Sequence, residues 1–264
     1  MTGKFIITKE HRRFTEFANV VRKEHTIGIC YGDAGVGKTM SGRRYANWDT
    51  IEPHLGGHFG PRDIDDKLVT AAGRARSVFY TPPVTTGTRN LTSELKRLDD
   101  DIDMLITQHL DDWKTLTPTS PSRVELIIID ESERLSATAL EMLRDLHDRT
   151  RVAVVLIGMP GLDQRFRHYP QLFSRLGFAH NYQPLTTEEL MFVLDRQWKR
   201  LGHELDPDDF TDHQAVAAIA RITRGNFRLL ERLFPQVARV LKINGLDTIT
   251  DDVIEAAAST LVVG

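Results

Sequence analysis

The sequence contains little that would indicate a secreted, membrane or zinc protein. It has one cysteine, Cys30, and so forms no internal disulfide. Its 10 histidines show neither an H-E-x-x-H motif nor Cys/His ligand spacing, and we predict no structural zinc. No apolar run approaches the length that crosses a bilayer, and the first residues lack the apolar core and cleavage site of a signal peptide. We therefore expect a cytoplasmic protein with no membrane segment.

An excess of basic residues is also missing. The chain of 264 residues has 34 Lys and Arg against 37 Asp and Glu, which gives a formal net charge of −3. A typical nucleic-acid-binding domain carries an overall basic field. If the protein binds DNA, the binding surface must therefore be a local group of basic residues or must form when several subunits assemble.

The first motif that is present lies at Gly32–Thr39, which fits G-x-x-x-x-G-K-[ST] between an apolar run, Thr26–Tyr31, and a predicted helix, Lys38–Trp48. Backbone N–H groups of such a loop and the N-terminal end of its helix surround phosphate oxygens. We expect Lys38 to bind the β- and γ-phosphates of ATP and Thr39 to bind Mg²⁺; the alternative is an ordinary glycine-rich turn. The expected nucleotide-binding residues are Gly32, Asp33, Ala34, Gly35, Val36, Gly37, Lys38, Thr39 and Met40.

A second motif closes the apolar run Val124–Asp130, whose β-branched composition predicts a strand buried on both faces of a parallel sheet. Asp130 at the strand end can hold Mg²⁺ through water, and Glu131 can polarise the attacking water as a general base. The alternative is a buried strand that meets solvent at an acidic pair. Together with the phosphate loop, the pair predicts ATP hydrolysis.

Strand and helix patterns alternate as far as residue 183 and are purely helical afterwards. We predict an α/β domain at residues 1–183, with a parallel sheet flanked by helices, and an all-helical lid at residues 184–264. The segment 49–76 is rich in Gly, Pro, His and charge and is predicted to be a surface insertion with a short helix at 64–72. Other predicted elements are helices at 9–24, 91–110, 136–149, 186–201, 213–223, 227–243 and 251–261, one or two short helices at 162–176, and strands at 77–81, 152–157 and 178–182.

These motifs in this order resemble the AAA+ ATPases over nearly the whole chain. Phe173-Ser174-Arg175 is similar to the motif that carries the family's arginine finger, and Gly225-Asn226-Phe227-Arg228 is similar to its sensor-two motif. The resemblance implies that Arg175 reaches the γ-phosphate in a neighbouring subunit and that Arg228 contacts its own subunit's nucleotide. The catalytic set that we expect is then Lys38, Asp130, Glu131, Arg175 and Arg228.

Two features qualify this catalytic set. Arg175 or Arg228 could instead be a surface charge in a salt bridge. The nearby arginines Arg165, Arg167 and Arg224 are alternative candidates for the arginine finger and the sensor-two arginine. The sensor-one position, usually polar in the family, is occupied here by Gly158 and Met159. This departure predicts weak positioning of the attacking water and slow hydrolysis.

Within AAA+, Ile127–Leu135 and Val154–Gly158 followed by Leu162-Asp163 resemble the transposition regulators MuB, TnsC and TniB. That resemblance implies an ATP-dependent ring or helical filament around duplex DNA that recruits and stimulates a transposase or integrase. No recognition helix-turn-helix is evident, so we expect binding without sequence specificity. The DNA contacts implied by the resemblance are Thr85, Thr86, Thr88, Arg89 and Lys96.

Other functions stay open at this point. The DNA segment could be a solvated loop and helix face, because Asp99 to Asp103 follow it and would repel phosphate. The protein could be an initiator or clamp-loader-like ATPase of replication. It could also be a signalling or secretion ATPase that binds no nucleic acid, which its negative net charge favours.

Overall fold

The computed structural model describes residues 5–55, 64–84, 87–110 and 120–261. The chain forms two compact units. The sheet unit comprises Arg13–Gly32 and Lys38–Tyr182, and the helical unit comprises Met1–Arg12, Asp33–Gly37 and Gln183–Gly264. The division into domains at residue 183 stays a prediction. None of the described helices is long and apolar enough to cross a membrane.

Five parallel strands in the order β2-β3-β4-β1-β5 form the centre of the sheet unit. All residues of β3 and β4 are buried, as expected where helices cover both faces of a parallel sheet. The predicted α/β fold with a parallel sheet is therefore confirmed. The strands are β1 (Ile27–Tyr31), β2 (Ser77–Tyr80), β3 (Leu126–Ile129), β4 (Ala153–Gly158) and β5 (Leu176–Asn181).

The parallel register determines where the motifs lie. Tyr31, the last residue of β1, is opposite Gly158, the last residue of β4, and Ile129 at the end of β3 is opposite Leu156. The phosphate loop and Asp130 therefore leave the sheet at the same edge. In open α/β sheets, ligands bind outside the carboxyl ends of the strands, so this edge is the expected location of a site.

Helices pack on the sheet through apolar faces at helical spacing. Phe14, Ala18 and Val21 of α1 are fully buried, and the Phe17 and Val21 side chains press so closely on Gly28 that a Cβ there would lie 2.5 Å from Val21 Cγ2. Ser136 caps α6, the helix predicted at 136–149, by accepting a hydrogen bond from the Ala139 N–H at 3.2 Å. The helices up to residue 182 are α1 (Lys9–Lys23), α2 (Lys38–Tyr45), α3 (Trp48–Ile51), α4 (Asp66–Ala75), α5 (Thr88–Leu110), α6 (Ala137–Thr150), α7 (Leu162–Phe166) and α8 (Pro170–Phe173).

Two predictions about the segment after the phosphate loop are wrong in part. The predicted helix Lys38–Trp48 ends at Tyr45, because Asn47 has φ of 51° in the left-handed region and redirects the chain. The segment 49–76 is not only a surface insertion, since Ile51 and Leu68 have no exposed surface and belong to the core. Residues 56–63 of that segment lie outside the described residues.

The helical unit has its own apolar core, which includes Trp198, Leu233 and Val237. Thr186 opens the helix predicted at 186–201 with a capping box, in which its side chain and that of Glu189 each bond the other's backbone N–H. Asn226 and Thr250 cap later helices through side-chain oxygens. The helices are α9 (Thr187–Arg200), α10 (Phe210–Thr223), α11 (Phe227–Asn244) and α12 (Asp251–Ala258).

Candidate nucleotide site

The phosphate-loop lysine lies against the loop's own backbone. Lys38 is buried, with 8% of its surface exposed, and its Nζ donates a hydrogen bond to the Gly32 carbonyl at 2.6 Å. Gly35 and Gly37 have φ of 84° and 114°, a region that side chains strongly disfavour. The glycines are therefore needed for a loop whose N–H groups can turn towards an anion.

Thr39 and Asp130 are joined by a side-chain hydrogen bond within the sheet unit. Asp130 is 4% exposed, and burial raises the pKa of its carboxyl group, although the Thr39 hydroxyl and the Glu131 backbone N–H act in the opposite direction. The positive charge of Lys38 also favours the ionised carboxylate. One hydroxyl and one carboxylate are thus paired beside one ammonium group.

This donor set fits Mg²⁺ carried by a nucleotide. Mg²⁺ prefers hard oxygen ligands and keeps several waters, so one or two protein oxygens plus phosphate oxygens suffice. In the part of the chain that the structure describes, no group of three or more His, Cys, Asp or Glu side chains could hold a metal ion. Thr39 and Asp130 would therefore hold the ion together with the phosphates and not as an all-protein cage.

Glu131 follows Asp130 in an unusual backbone conformation. Its φ of 50° is in the left-handed region, which costs a residue with a side chain on the order of 1–2 kcal/mol. The side chain is 41% exposed, and its Oε2 lies 3.6 Å from Arg134 Nη2. A carboxylate that is accessible to water and held beside the buried Asp130 is suited to accept a proton from water.

The short 3-10 turn Ser132–Arg134 continues from this pair. Arg165 fixes the turn by donating hydrogen bonds to three backbone carbonyls, those of Ser132 at 3.4 Å, Glu133 at 2.9 Å and Leu135 at 2.5 Å. Arg165 thus has a structural role, which argues against it as the arginine finger. Burial raises the pKa of Glu133, and so do the charge of Glu131 and a hydrogen bond that protonated Glu133 donates to the Glu131 carboxylate.

In the helical unit, the start of α11 bonds the phosphate-loop segment Asp33–Gly37. Asn226 Nδ2 donates to the Ala34 carbonyl at 2.7 Å, and the Arg228 backbone N–H donates to the Gly35 carbonyl at 3.1 Å. Asn226 Oδ1 at the same time caps α11 by accepting from Arg228 N–H at 3.1 Å. The Arg228 side chain is exposed and begins beside Gly35, where an added Cβ would lie 2.7 Å from Arg228 Cβ.

Arg175 lies between α8 and β5 and is engaged by a carboxylate. Its Nε and Nη2 donate to Asp148 Oδ1 and Oδ2 at 3.2 and 3.1 Å, and its Nη1 donates to Ser174 Oγ at 2.7 Å. The side chain is still 38% exposed. Of the competing arginines, Arg167 and Arg224 are exposed.

Of the residues proposed for DNA contact, Thr88 and Arg89 begin α5 and Lys96 lies about two turns further along it. Thr85 and Thr86 are outside the described residues, whereas Thr88 is the first residue of the helix, which begins three residues before the predicted Leu91. Arg89 is exposed. The hydrogen bond from Lys96 to Asp100, one turn later, raises the pKa of Lys96. The acidic residues that follow are engaged as well, since Asp99 accepts from Ser122 Oγ at 2.9 Å and Asp103 from Arg123 N–H at 2.6 Å.

The sheet order, the phosphate loop after β1 and the acidic end of β3 define a P-loop nucleoside-triphosphatase fold of the AAA+ class. The family described as AAA domain matches residues 21–166. The chain belongs to this family. It is also 41% identical, over 98% of its length and 97% of the relative's, to a protein of Staphylococcus aureus described as a potential ATP-binding protein.

Solved structures agree in fold. The Thermotoga maritima RuvB Holliday junction branch migration motor matches 97% of this chain and 70% of its own, at 17% identity and a TM-score of 0.57. Aeropyrum pernix ORC2, solved as ADPNP-ADP complexes, covers 98% and 70% at 15% identity and a TM-score of 0.58. Cdc6p from Pyrobaculum aerophilum covers 100% and 70% at 14% identity and a TM-score of 0.58. At these identities the likeness establishes the fold.

Two residues that contact the motif segments, Asn226 and Tyr182, were not assigned a role from the sequence. Asn226 belongs to the Gly-x-x-Arg segment, and its N-cap position could have been predicted because Asn directly precedes an apolar helical pattern. Its bond to Ala34 has no local signal, because the two residues are 192 positions apart. The same holds for Tyr182, whose hydroxyl shares a hydrogen bond of 2.8 Å with Ser41 Oγ of α2.

Proposed function

We propose that this protein is an ATP-hydrolysing AAA+ switch that assembles on duplex DNA and recruits a transposase. The observation that carries the hydrolytic part is the bond between Thr39 and Asp130 beside the buried Lys38. These groups are the oxygen ligands and the cation that a triphosphate with Mg²⁺ requires. A site for phosphate binding alone would need the loop but not the buried carboxylate.

Each side chain has a distinct task in this proposal. Lys38 exchanges the Gly32 carbonyl for β- and γ-phosphate oxygens. Thr39 and Asp130 would hold Mg²⁺, which would supply positive charge against the negative charge that develops during phosphoryl transfer. Glu131 accepts a hydrogen bond from the attacking water, which orients it, and takes up its proton as the water attacks. Arg228 contacts the nucleotide of its own subunit, as the AAA+ resemblance implies.

Assembly is proposed to depend on Arg175 acting in a neighbouring subunit. A cation that completes a neighbour's site makes ATP a link between subunits, and hydrolysis then loosens the assembly. Arginine fingers accelerate phosphoryl transfer by about a thousandfold or more. The partial exposure of Arg175 is compatible with this role.

Duplex binding is proposed to come from Thr88, Arg89 and Lys96 on α5, with Thr85 and Thr86 before it. These side chains can contact phosphates without reading bases. Lys96 must share its charge with Asp100, so one subunit neutralises few phosphates. Repetition along an assembly multiplies weak contacts, which reconciles a net charge of −3 with affinity for DNA.

Recruitment of a transposase rests on the resemblance of Ile127–Leu135 to the transposition regulators. An initiator-like or clamp-loader-like ATPase would also bind duplex, but it would not retain a transposase. A signalling or secretion ATPase would bind neither. Pull-down with a purified transposase as the probe, with and without ATP and duplex, separates the three classes.

The DNA surface is tested by the double variant Arg89→Ala, Lys96→Ala. We expect unchanged ATPase activity without DNA, weaker duplex binding at a given salt and a shallower dependence on salt, because fewer counterions are released. The control is the double variant Lys199→Ala, Arg221→Ala. It removes two exposed cations away from α5, which form salt bridges with Asp195 and Glu255. Binding curves that overlay the wild type across the salt range would remove α5 from the interface.

A further inference from the structure

The carboxyl group of Glu133 occupies the space that a side chain at position 158 of β4 would fill. Gly158 ends β4, and a Cβ built on it would lie 2.7 Å from Glu133 Oε2. Real Cβ atoms essentially never approach another atom this closely. A side chain at position 158 and the present position of Glu133 therefore exclude each other.

Glu133 is held there from two sides. Its backbone is fixed by Arg165, whose Nη1 donates to the Glu133 carbonyl at 2.9 Å. Its carboxyl group, when protonated, donates a hydrogen bond to the Glu131 carboxylate, while Oε2 is buried without a hydrogen-bond partner among the described residues. A buried polar oxygen without a partner costs about 1–3 kcal/mol, so an apolar residue would be expected here if only stability mattered.

The same arrangement bears on Glu131, the residue proposed to polarise water. Glu131 is more than one-third exposed, and its Oε2 lies 3.6 Å from Arg134 Nη2, which is longer than a hydrogen bond, so this ion pair fixes the direction of its carboxylate only loosely. A hydrogen bond from a neighbour with a fixed backbone restricts that direction. Misplacement of a catalytic group by about 1 Å can cost about a hundredfold in rate.

We propose that Glu133 is a positioning residue that orients Glu131 and takes the place of the polar side chain that Gly158 lacks. The inference rests on the proposed function, in which Glu131 acts on the attacking water. It replaces the expectation of weak water positioning that followed from Gly158 and Met159. Glu133 itself touches neither nucleotide nor water in this account.

The first test compares Glu133→Ala with Glu133→Gln. The alanine variant should lower kcat about tenfold or more while the Kd for ATP stays within about twofold, because the loss concerns only the transition state. Glutamine retains the length and a hydrogen-bonding group, so it should recover most of kcat. Glu141→Ala, which removes an exposed carboxylate from α6, serves as the control and should leave kcat and Kd unchanged.

The second test uses Gly158→Ala alone and combined with Glu133→Ala. Alone, the added methyl should displace Glu133 and lower kcat, again with little change in ATP affinity. In the Glu133→Ala background the nearest atom to the same methyl is Cδ2 of the flexible Leu162 side chain, at 3.1 Å, so the further loss should be much smaller. The two substitutions are therefore expected to be strongly non-additive, as residues in contact are.

Glu131→Gln distinguishes failure of this inference from failure of the proposed function. If Glu131→Gln hydrolyses ATP like the wild type, the proposed function fails and the inference fails with it. The inference alone is overturned if Glu131→Gln is inactive but Glu133→Ala keeps the wild-type kcat. It is also overturned if the kcat losses of Gly158→Ala and Glu133→Ala simply multiply in the double variant. A melting curve will show whether Glu133→Ala folds. If it does not, Glu133→Gln and Gly158→Ala are compared instead. A wild-type kcat in Gly158→Ala would then contradict the inference.

Discussion

Asp148, in the last turn of α6, holds Arg175 through both carboxylate oxygens. The carboxylate is shared with Arg144, whose Nη1 lies 2.5 Å from Asp148 Oδ2. The hydrogen bond from Arg175 is the main reason why the pKa of Asp148 lies below its usual value. Exposed ion pairs contribute little net stability because solvent competes for both partners. Arg175 can therefore exchange Asp148 for a phosphate without a large cost to the fold.

Arg175 is predicted to act in trans. Arg175→Ala and Lys38→Ala proteins should each be inactive in ATP hydrolysis, and their mixture should recover part of the activity, because each can supply what the other lacks. The measurement is steady-state phosphate release at concentrations that support assembly. Arg149→Ala, which removes another exposed arginine near the end of α6, is the control and should be active by itself. Absence of recovery in the mixture would mean that Arg175 acts in its own subunit or not at all.

Lys38 and Glu131 are predicted to separate binding from turnover. Lys38→Ala removes the cation that meets the phosphates, so it should lose ATP affinity, whereas Glu131→Gln keeps the shape but loses the base. Calorimetric titration with ATP and a phosphate-release assay on both variants make the comparison. Equal ATPase rates in Glu131→Gln and wild type would contradict the role of Glu131.

Asn226 is predicted to connect the phosphate loop to α11. Asn226→Ser retains an oxygen that can cap the helix but loses the Nδ2 donor to the Ala34 carbonyl, so it should weaken ATP binding severalfold with a small change in melting temperature. Asn226→Ala loses both groups and should also melt earlier. Thr250→Ala removes the cap of α12 without a bond to the loop, and it should melt earlier while binding ATP normally. Wild-type affinity in Asn226→Ser would show that the bond does not matter for binding.

Glu125 is predicted to make stability depend on pH at the start of β3. Burial alone would raise the pKa of Glu125, but hydrogen bonds from Arg76 at 2.7 Å and Arg22 at 2.5 Å outweigh it and lower the pKa. Stabilisation by a carboxyl group of lowered pKa is complete above its unfolded value of about 4.3 and is lost as pH falls through the folded value.

Glu125→Gln should therefore be less stable than wild type at pH 7, by about 1 kcal/mol after allowance for partial exposure. The difference should shrink as the pH falls below about 4.3. Urea unfolding at a series of pH values measures it, and the exposed Glu24→Gln is the control. A difference that stays constant from neutral to acidic pH would rule out the proposed linkage.

Local patterns predicted the elements that depend on local chemistry. The apolar runs gave β1, β3 and β4 to within two residues at each end, and Ser136 and Thr186 cap the predicted helices. These features could be read because periodicity and capping involve residues at most four positions apart. The phosphate loop is equally local.

Contacts between distant residues could not be predicted in this way. The bonds from Arg165 to the turn after β3 join residues about 30 positions apart, and the exclusion between Glu133 and Gly158 depends on the lateral order of β3 and β4. The burial of Ile51 and Leu68 depends on tertiary packing that overrides a polar composition. The residues that carry the chemistry therefore stay a prediction from the sequence, and the neighbours that hold them could not be predicted from it.

The most direct test of the central claim is electron microscopy of the Glu131→Gln protein with duplex DNA in the presence of ATP, ADP or no nucleotide. The variant should retain ATP, so we expect regular rings or filaments on the duplex with ATP and dispersed protein in the other two samples. Lys38→Ala should remain dispersed in all three. Dispersed Glu131→Gln protein with ATP and duplex, at concentrations at which it binds ATP, would contradict the claim that ATP drives assembly on DNA.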